Sequence, residues 1–247
     1  MASHDAHNNL FYYVLSVAGP IFFMSMQLSY LQTASKIISK RSDCQLSPLP
    51  FVSLVTNCAV MSLYAFLRSN ATIFVPNFSG FLTGIVCTCA FQTYTTDVKK
   101  EIFLIAGCIL VLAAYLTAVG AAYPLGLVGV CLSVILMGSP LATLATVIRE
   151  KSTNSLPFST SVATFFNALS WSLYGVLEAN DAIVYVPNLI GLFLACIQLS
   201  LFVVYGMPSE VVEQPKYSAI NLTKPPEVAN LKLPLVNNDK KAPTNYV

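Results

Sequence analysis

Hydrophobic positions along the chain fall into seven long runs separated by short polar stretches. The runs cover roughly 10–31, 50–67, 72–94, 102–122, 124–148, 157–177 and 182–206, and none contains Asp, Glu, Lys or Arg. Each is close to the ~20 residues with which an α-helix crosses ~30 Å of hydrocarbon. The pattern predicts an all-α membrane protein whose seven transmembrane helices contact a lipid bilayer.

Overall composition agrees with this class and narrows the chemistry. Of the 247 residues 55% are hydrophobic and 10% are charged, and the net charge is +2, whereas a soluble domain carries about 25% charged residues. The small, dispersed charge predicts no nucleic-acid partner. The two histidines lie in the leader at 1–9, away from the intramembrane cysteines, so no metal or other cofactor is predicted.

Positive charge is distributed unevenly between the two sets of loops. Twelve of the thirteen Lys and Arg follow odd-numbered segments, and only Arg68 falls on the other side. Because cytosolic loops carry the excess of Lys and Arg, the leader is predicted to be extracytosolic and the tail at 207–247 cytosolic. The tail is rich in proline and charge and is predicted to be disordered. We expect the plasma membrane as the location, with the Golgi or another endomembrane as the alternative.

The sequence contains an internal repeat. NCAVMSLYAFLRSN at 57–70 aligns with NALSWSLYGVLEAN at 167–180 at an offset of 110, and VPN with Gly80 recurs as VPN with Gly191 at an offset of 111. The ranges 10–94 and 124–206 are therefore predicted to be two three-helix repeats, and 102–122 a linker helix. Because one helix lies between them, both repeats enter the membrane from the same side. Transporter sites commonly lie at such an interface.

Two Pro-Asn pairs mark the candidate site. Proline removes a helical hydrogen bond, and a buried amide needs a partner, yet the chain places Asn77 and Asn188 after prolines inside apolar runs. Facing each other across the repeat interface, the two amides would offer donors and acceptors to a neutral polyhydroxyl solute.

A second helix in each repeat carries a polar and aromatic stripe. Asn57, Met61 and Tyr64 stand at i, i+4 and i+7, and the repeat places Asn167, Trp171 and Tyr174 at the same spacing, so each trio shares one helix face. For Asn57 and Asn167, hydrogen bonding between helices is the favoured interpretation, and a place in the solute pathway is the alternative. For Trp171, the favoured interpretation is that its side chain lines the path of the transported solute. Since the segments carry no charged group, we expect passive, uncoupled movement, and a bulky neutral solute would need alternating access.

From these residues the chain resembles the SWEET sugar transporters. The most specific stretch is PFSTSVATFFNALSWSLYGVLEANDAIVYVPNLIGLFLACIQLSLFVVYG, within a similarity that spans about 10–206. The resemblance implies two three-helix bundles joined by a fourth helix, and facilitated, bidirectional diffusion of sugars. Family members also commonly associate, so we expect a homo-oligomer with the fourth helix as the contact surface.

The resemblance also implies roles for single residues. Asn77 and Asn188 match the paired asparagines that hold the sugar, Trp171 matches an aromatic residue that stacks on it, and Met61 occupies the opposing position. The outer gate and the hinge prolines are matched by Tyr64, Asp181, Pro50, Pro140 and Pro157.

The fourth hinge proline of the family falls at Tyr30 in this chain. Either Tyr30 supports a different inner gate or the first repeat moves more rigidly than in relatives, and Tyr30→Pro is expected to be tolerated. Met61 is larger than the residues often found at its position, which favours a monosaccharide such as glucose.

Three other classes of protein fit the pattern less well. A seven-helix receptor would not need the internal repeat. An intramembrane enzyme would need Ser-His, paired-Asp or metal-binding residues, which the segments lack. An amino-acid carrier of similar architecture would be expected to show Pro-Gln motifs and an intramembrane acid, and neither is present.

Overall fold

The computed structural model describes residues 2–43, 46–95 and 99–207, without the side chains of 2–9 and of residue 139. The predicted tail, apart from its first residue, lies outside the described residues. Eight helical elements follow one another: α1 Ala2–Lys40, α2 Leu49–Leu67, α3 Ala71–Tyr94, α4 Lys100–Ala118, α5 Ala122–Leu136, α6 Gly138–Glu150, α7 Phe158–Leu177 and α8 Ala182–Tyr205.

Two of the predicted helices differ from the structure in their bounds. The first continues through most of the predicted leader and on to Lys40. The fifth run forms two helices that meet at Met137, where the α-helical hydrogen-bond pattern tightens to a bond from the Met137 amide to the Val134 carbonyl (3.1 Å). Pro140 follows three residues later. Because proline has no backbone N–H to donate, it cannot continue the helical hydrogen-bond pattern, which explains a break at this point.

Six of the described helical stretches are long and apolar enough to cross a membrane, with α5 and α6 counted as one. The remaining helix, α7, is not among them because hydroxyl and amide side chains recur along its length. A helix that contacts a polar pathway can carry such residues. The chain is an integral, multi-pass, all-α membrane protein with seven transmembrane helices, as the sequence predicted.

Helix packing reproduces the repeat in three dimensions. In the first repeat α3 packs against both α1 and α2, and in the second α8 packs against α7 and against α5 and α6. Across the interface α1 packs against α7 and α2 against α5, while α4 contacts α2 and α5. Each repeat therefore contributes its first two helices to the interface, where the candidate site residues were predicted to lie.

We call the end of the helix bundle near Lys40, Lys99 and Arg149 the basic end, and the end near Asn70 and Asp181 the opposite end. At the basic end each repeat has its own apolar core: Ala34, Ile37 and Phe91 in the first correspond to Leu144, Val147 and Phe202 in the second. The repeats pack alike around these cores.

Candidate functional site

A cavity of about 330 Å³ lies between the repeats. This is within the range of ~300–1,000 Å³ that is usual for small-molecule sites. All six residues predicted to contact the substrate line it: Asn57, Met61, Asn77, Asn167, Trp171 and Asn188. The structure thus brings together positions that are up to 131 residues apart in the chain, from Asn57 to Asn188.

The two Pro-Asn amides are held by their own helices. Asn77 Nδ2 donates to the Ile73 carbonyl (2.8 Å), and Asn188 Nδ2 donates to the Val184 carbonyl (2.7 Å). Since a carbonyl only accepts, the amide nitrogen of each side chain must face it. Neither Oδ1 has a hydrogen-bond partner within the described part of the chain. The pair therefore offers the cavity two fixed acceptor oxygens, which suits solutes rich in hydroxyl donors.

The other two asparagines differ from each other. Asn57 Oδ1 accepts from Ser133 Oγ on α5 (3.3 Å), a hydrogen bond between the two repeats. Asn167 Oδ1 is buried and has no partner among the described residues. Leaving a buried acceptor unpaired costs about 1–3 kcal/mol, so Asn167 favours a ligand or water in the cavity. Asn57 combines both roles that its sequence left open, since it joins the repeats and lines the cavity.

Met61 and Trp171 are each accommodated by a glycine of the other repeat. A Cβ built on Gly19 of α1 would lie 3.0 Å from Trp171 Cε2, and one on Gly129 of α5 would lie 2.6 Å from Met61 Sδ. Gly19 and Gly129 were not singled out in the sequence, although they differ by the repeat offset of 110. Trp171, only 6% exposed, also makes an edge-on contact with Tyr174. These contacts fix the indole plane at the cavity wall.

At the opposite end two hydrogen-bonded pairs join the repeats. The Tyr64 hydroxyl donates to the Asp181 carboxylate, which brings together the two residues that the resemblance assigned to an outer gate. Asn70 Nδ2 donates to the Tyr174 hydroxyl (2.9 Å). Asn70 and Asp181 are also the N-caps of α3 and α8, where each accepts a backbone hydrogen bond. Each tyrosine thus binds the N-cap of the other repeat's third helix, and the repeat alignment is the signal that reveals the second pair.

The predicted hinge residues line three different cavities. Pro140 lines the central cavity next to the break between α5 and α6. Pro157 lines a second cavity among α6, α7 and α8. Pro50 and Tyr30 line a third, between α1 and α2, where the Tyr30 ring packs edge-on against Phe51. Only the second repeat has a broken first helix at its proline position.

A helical membrane protein with a solute-sized cavity between two parallel repeats defines a class of carrier, and comparison with known proteins narrows it. Residues 13–99 and 123–210 match the family described as "Sugar efflux transporter for intercellular exchange". The two matched ranges correspond to the two repeats. The chain belongs to this family, whose curated members carry the name SWEET.

Relatives and a solved structure show how far the similarity extends. The chain is 30% identical to the sugar transporter SWEET1 of Danio rerio over 86% of this chain and 99% of that one. It is 29% identical to the bidirectional sugar transporter SWEET7 of Arabidopsis thaliana, covering 91% and 96% of the two chains. A eukaryotic SWEET transporter solved at 3.7 Å resolution is similar with a TM-score of 0.66 and 29% identity, over 78% of this chain and 96% of that one.

Proposed function

We propose that this protein is a facilitative, bidirectional and uncoupled carrier of neutral sugars, with a monosaccharide such as glucose as its substrate. The observation that supports this most directly is the pair of fixed acceptor oxygens on Asn77 and Asn188 beside the Trp171 indole, in one cavity between the repeats. Sugar hydroxyls can donate to amide oxygens, and an aromatic ring can cover the apolar face of a sugar. The named activities of the relatives agree with this substrate class.

Passive transport is supported by the character of the cavity wall. None of the described residues that line the central cavity is charged. Carriers driven by protons or sodium generally keep an ionisable residue within the membrane. The pairs at the opposite end supply a gate that can open while the basic end closes, as alternating access requires. We place the basic end in the cytosol of a cell whose plasma membrane contains the protein.

Uptake of labelled glucose into liposomes that contain the purified protein, without an ion gradient, tests this function. The protein should equilibrate glucose across the membrane, and Asn188→Ala should abolish the uptake. Asn154→Ala is the matched control because Asn154 is exposed in the loop before α7. It should transport at the unmodified rate.

Three outcomes would contradict the proposal. Full transport in both Asn77→Ala and Asn188→Ala would exclude the paired amides as the site. Accumulation of glucose against its gradient when a proton or sodium gradient is imposed would exclude uncoupled transport. An absence of uptake with glucose, fructose and sucrose would exclude all three sugars as substrates.

A further inference from the structure

The second cavity, of about 280 Å³, continues the central cavity toward the basic end. Both are lined by Met137 and Pro140. On α7, Trp171 and Asn167 line the central cavity. The same face of the helix continues toward the basic end, where Thr164 and Thr160 line the second cavity. These four residues follow at spacings of three and four, so they share one side of the helix.

On α8 too, one side of the helix lines the central cavity and then the second cavity. On α8, Asn188 faces the central cavity, and Gly191, Ala195 and Gln198 follow it at spacings of three and four to face the second. The two cavities are therefore successive parts of one path along the second repeat. The lining of the second cavity, as far as the structure describes it, contains no charged residue.

Polar side chains in the second cavity have unused hydrogen-bonding capacity. Gln198 is 7% exposed, lines the cavity, and has no hydrogen-bond partner among the residues that the structure describes. Thr160 and Thr164 are likewise without a partner for their hydroxyls within those residues. A buried amide with two donors and an acceptor is unfavourable unless something pairs with it. The amide and the two hydroxyls together suit a neutral molecule that carries several hydroxyl groups.

Among the described residues, the first repeat places no amide where the second has Gln198. Cys87 occupies the position of Gln198, at the repeat offset of 111, and its Sγ donates to the Tyr30 carbonyl (3.4 Å). Tyr30 itself occupies the position of Pro140. The described lining of the cavity between α1 and α2 shares no residue with that of the central cavity. The cavity that adjoins the central one toward the basic end is therefore the one lined by the second repeat.

We propose that the second cavity is an additional sugar-binding subsite, in which Gln198, Thr160 and Thr164 hold the transported sugar between the central cavity and the basic end. The inference rests on the proposed function, because it takes the same neutral sugar as the ligand. It assigns Gln198 a direct contact with the sugar at a position distinct from the paired asparagines.

Protection of an introduced thiol by glucose tests the subsite. Thr160 is exposed, so the thiol of Thr160→Cys can be reached by a charged methanethiosulfonate reagent, and mass spectrometry of the labelled peptide excludes the native cysteines. The measurement is made in the Asn188→Ala background. Trp171 is the only tryptophan in the chain, so an unchanged fluorescence on addition of glucose shows that the central site stays empty.

Glucose should slow labelling of Thr160→Cys in this background. At about four times the Kd of the subsite, about one-fifth of the cavities are empty, so the rate should fall about fivefold by mass action. Adding Gln198→Met, which keeps the shape but removes the amide, should restore the rate. If that variant does not elute as a folded protein, Thr164→Val replaces it. Thr33→Cys is the matched control because Thr33 lines the cavity behind Tyr30, and glucose should not protect it.

The subsite is refuted if glucose leaves the labelling rate of Thr160→Cys unchanged, which would mean that water alone fills the cavity. Equal protection of Thr33→Cys, or protection that survives both Gln198→Met and Thr164→Val, would also overturn it. Glucose uptake by the unmodified protein without any protection would leave the proposed function intact and reject the subsite alone. Protection in the Asn188→Ala background, together with no uptake by the unmodified protein, would reject the transport function and retain the subsite.

Discussion

Replacing Tyr64 with phenylalanine removes a single hydroxyl from the hydrogen-bonded pairs that join the repeats at the opposite end. Tyr64 is 2% exposed and its ring packs against α5, since a Cβ built on Gly126 would lie 2.8 Å from Tyr64 Cε2. Phenylalanine keeps this packing. The variant loses only the hydrogen bond to Asp181, which retains its capping bond from the Ile183 amide (3.0 Å).

The size of the effect follows from the charge of the acceptor. A hydrogen bond to a charged group contributes about 1.5–3 kcal/mol, and one between neutral groups about 0.5–1.5 kcal/mol. Because the pair joins the two repeats, its contribution is lost when this end opens. Tyr64→Phe should therefore shift the ratio of closed to open forms about ten- to hundredfold toward open. Tyr174→Phe, which breaks the neutral pair with Asn70, should shift it about two- to tenfold.

Double electron–electron resonance between labels on the two repeats measures this ratio. Phe66 in α2 and Val176 in α7 are both exposed and both lie at the opposite end of the bundle. Cysteines at these positions can therefore carry labels outside the packed interface. The longer distance should gain population in Tyr64→Phe and gain less in Tyr174→Phe. Tyr115→Phe is the control, because Tyr115 lies on the exposed face of α4. Unchanged distances in Tyr64→Phe, or a larger change in Tyr174→Phe, would refute the assignment of this pair as the stronger contact.

Three further substitutions probe the walls of the pathway. Gly19→Ala should displace the Trp171 indole, because the new methyl group would lie 3.0–3.3 Å from it. Such overpacking costs about 1–3 kcal/mol. It should raise the Kd for glucose about tenfold, as measured by tryptophan fluorescence. Tyr30→Pro should lower the free energy of unfolding by about 3 kcal/mol or more, in contrast to the tolerance that the family resemblance suggests, and an unchanged Tm would show that the ring contributes little. Gln27→Leu should cost about 1–3 kcal/mol by removing the hydrogen bond to the Pro76 carbonyl (3.0 Å), also measured as a loss of Tm.

Tyr30 shows what a resemblance leaves open at a single position. The resemblance implies a proline where this chain has Tyr30, which left open whether the first repeat gains a new gate or becomes more rigid. In the structure the ring packs against Phe51, and the Tyr30 carbonyl accepts from Cys87. Rigidity of the first repeat is the interpretation that these contacts favour, and it depends on neighbours from two other helices.

The break between α5 and α6 was also outside the reach of the hydrophobic pattern. The run at 124–148 is apolar on both sides of Met137, so its length predicted one helix. Proline within a helix does not always break it, since Pro20, Pro76 and Pro187 all lie inside continuous helices. The Pro76 carbonyl accepts a hydrogen bond from Gln27 Nε2 of α1, and Met137, which stands at the repeat position of Gln27, has no side-chain amide for such a bond.

The sequence by itself determined the number of membrane helices, their parallel repeat and six of the residues that line the central cavity. These follow from the length of apolar runs, the offset between similar segments and helical spacing, all of which are properties of the chain read in order. The tertiary structure decided which amide atom of Asn77 and of Asn188 faces the cavity, which glycines make room for Met61 and Trp171, and that the cavity next to the central one is lined by the second repeat. Those outcomes depend on which helices lie side by side, and a hydrogen bond or close contact exists only once both partners have been brought together.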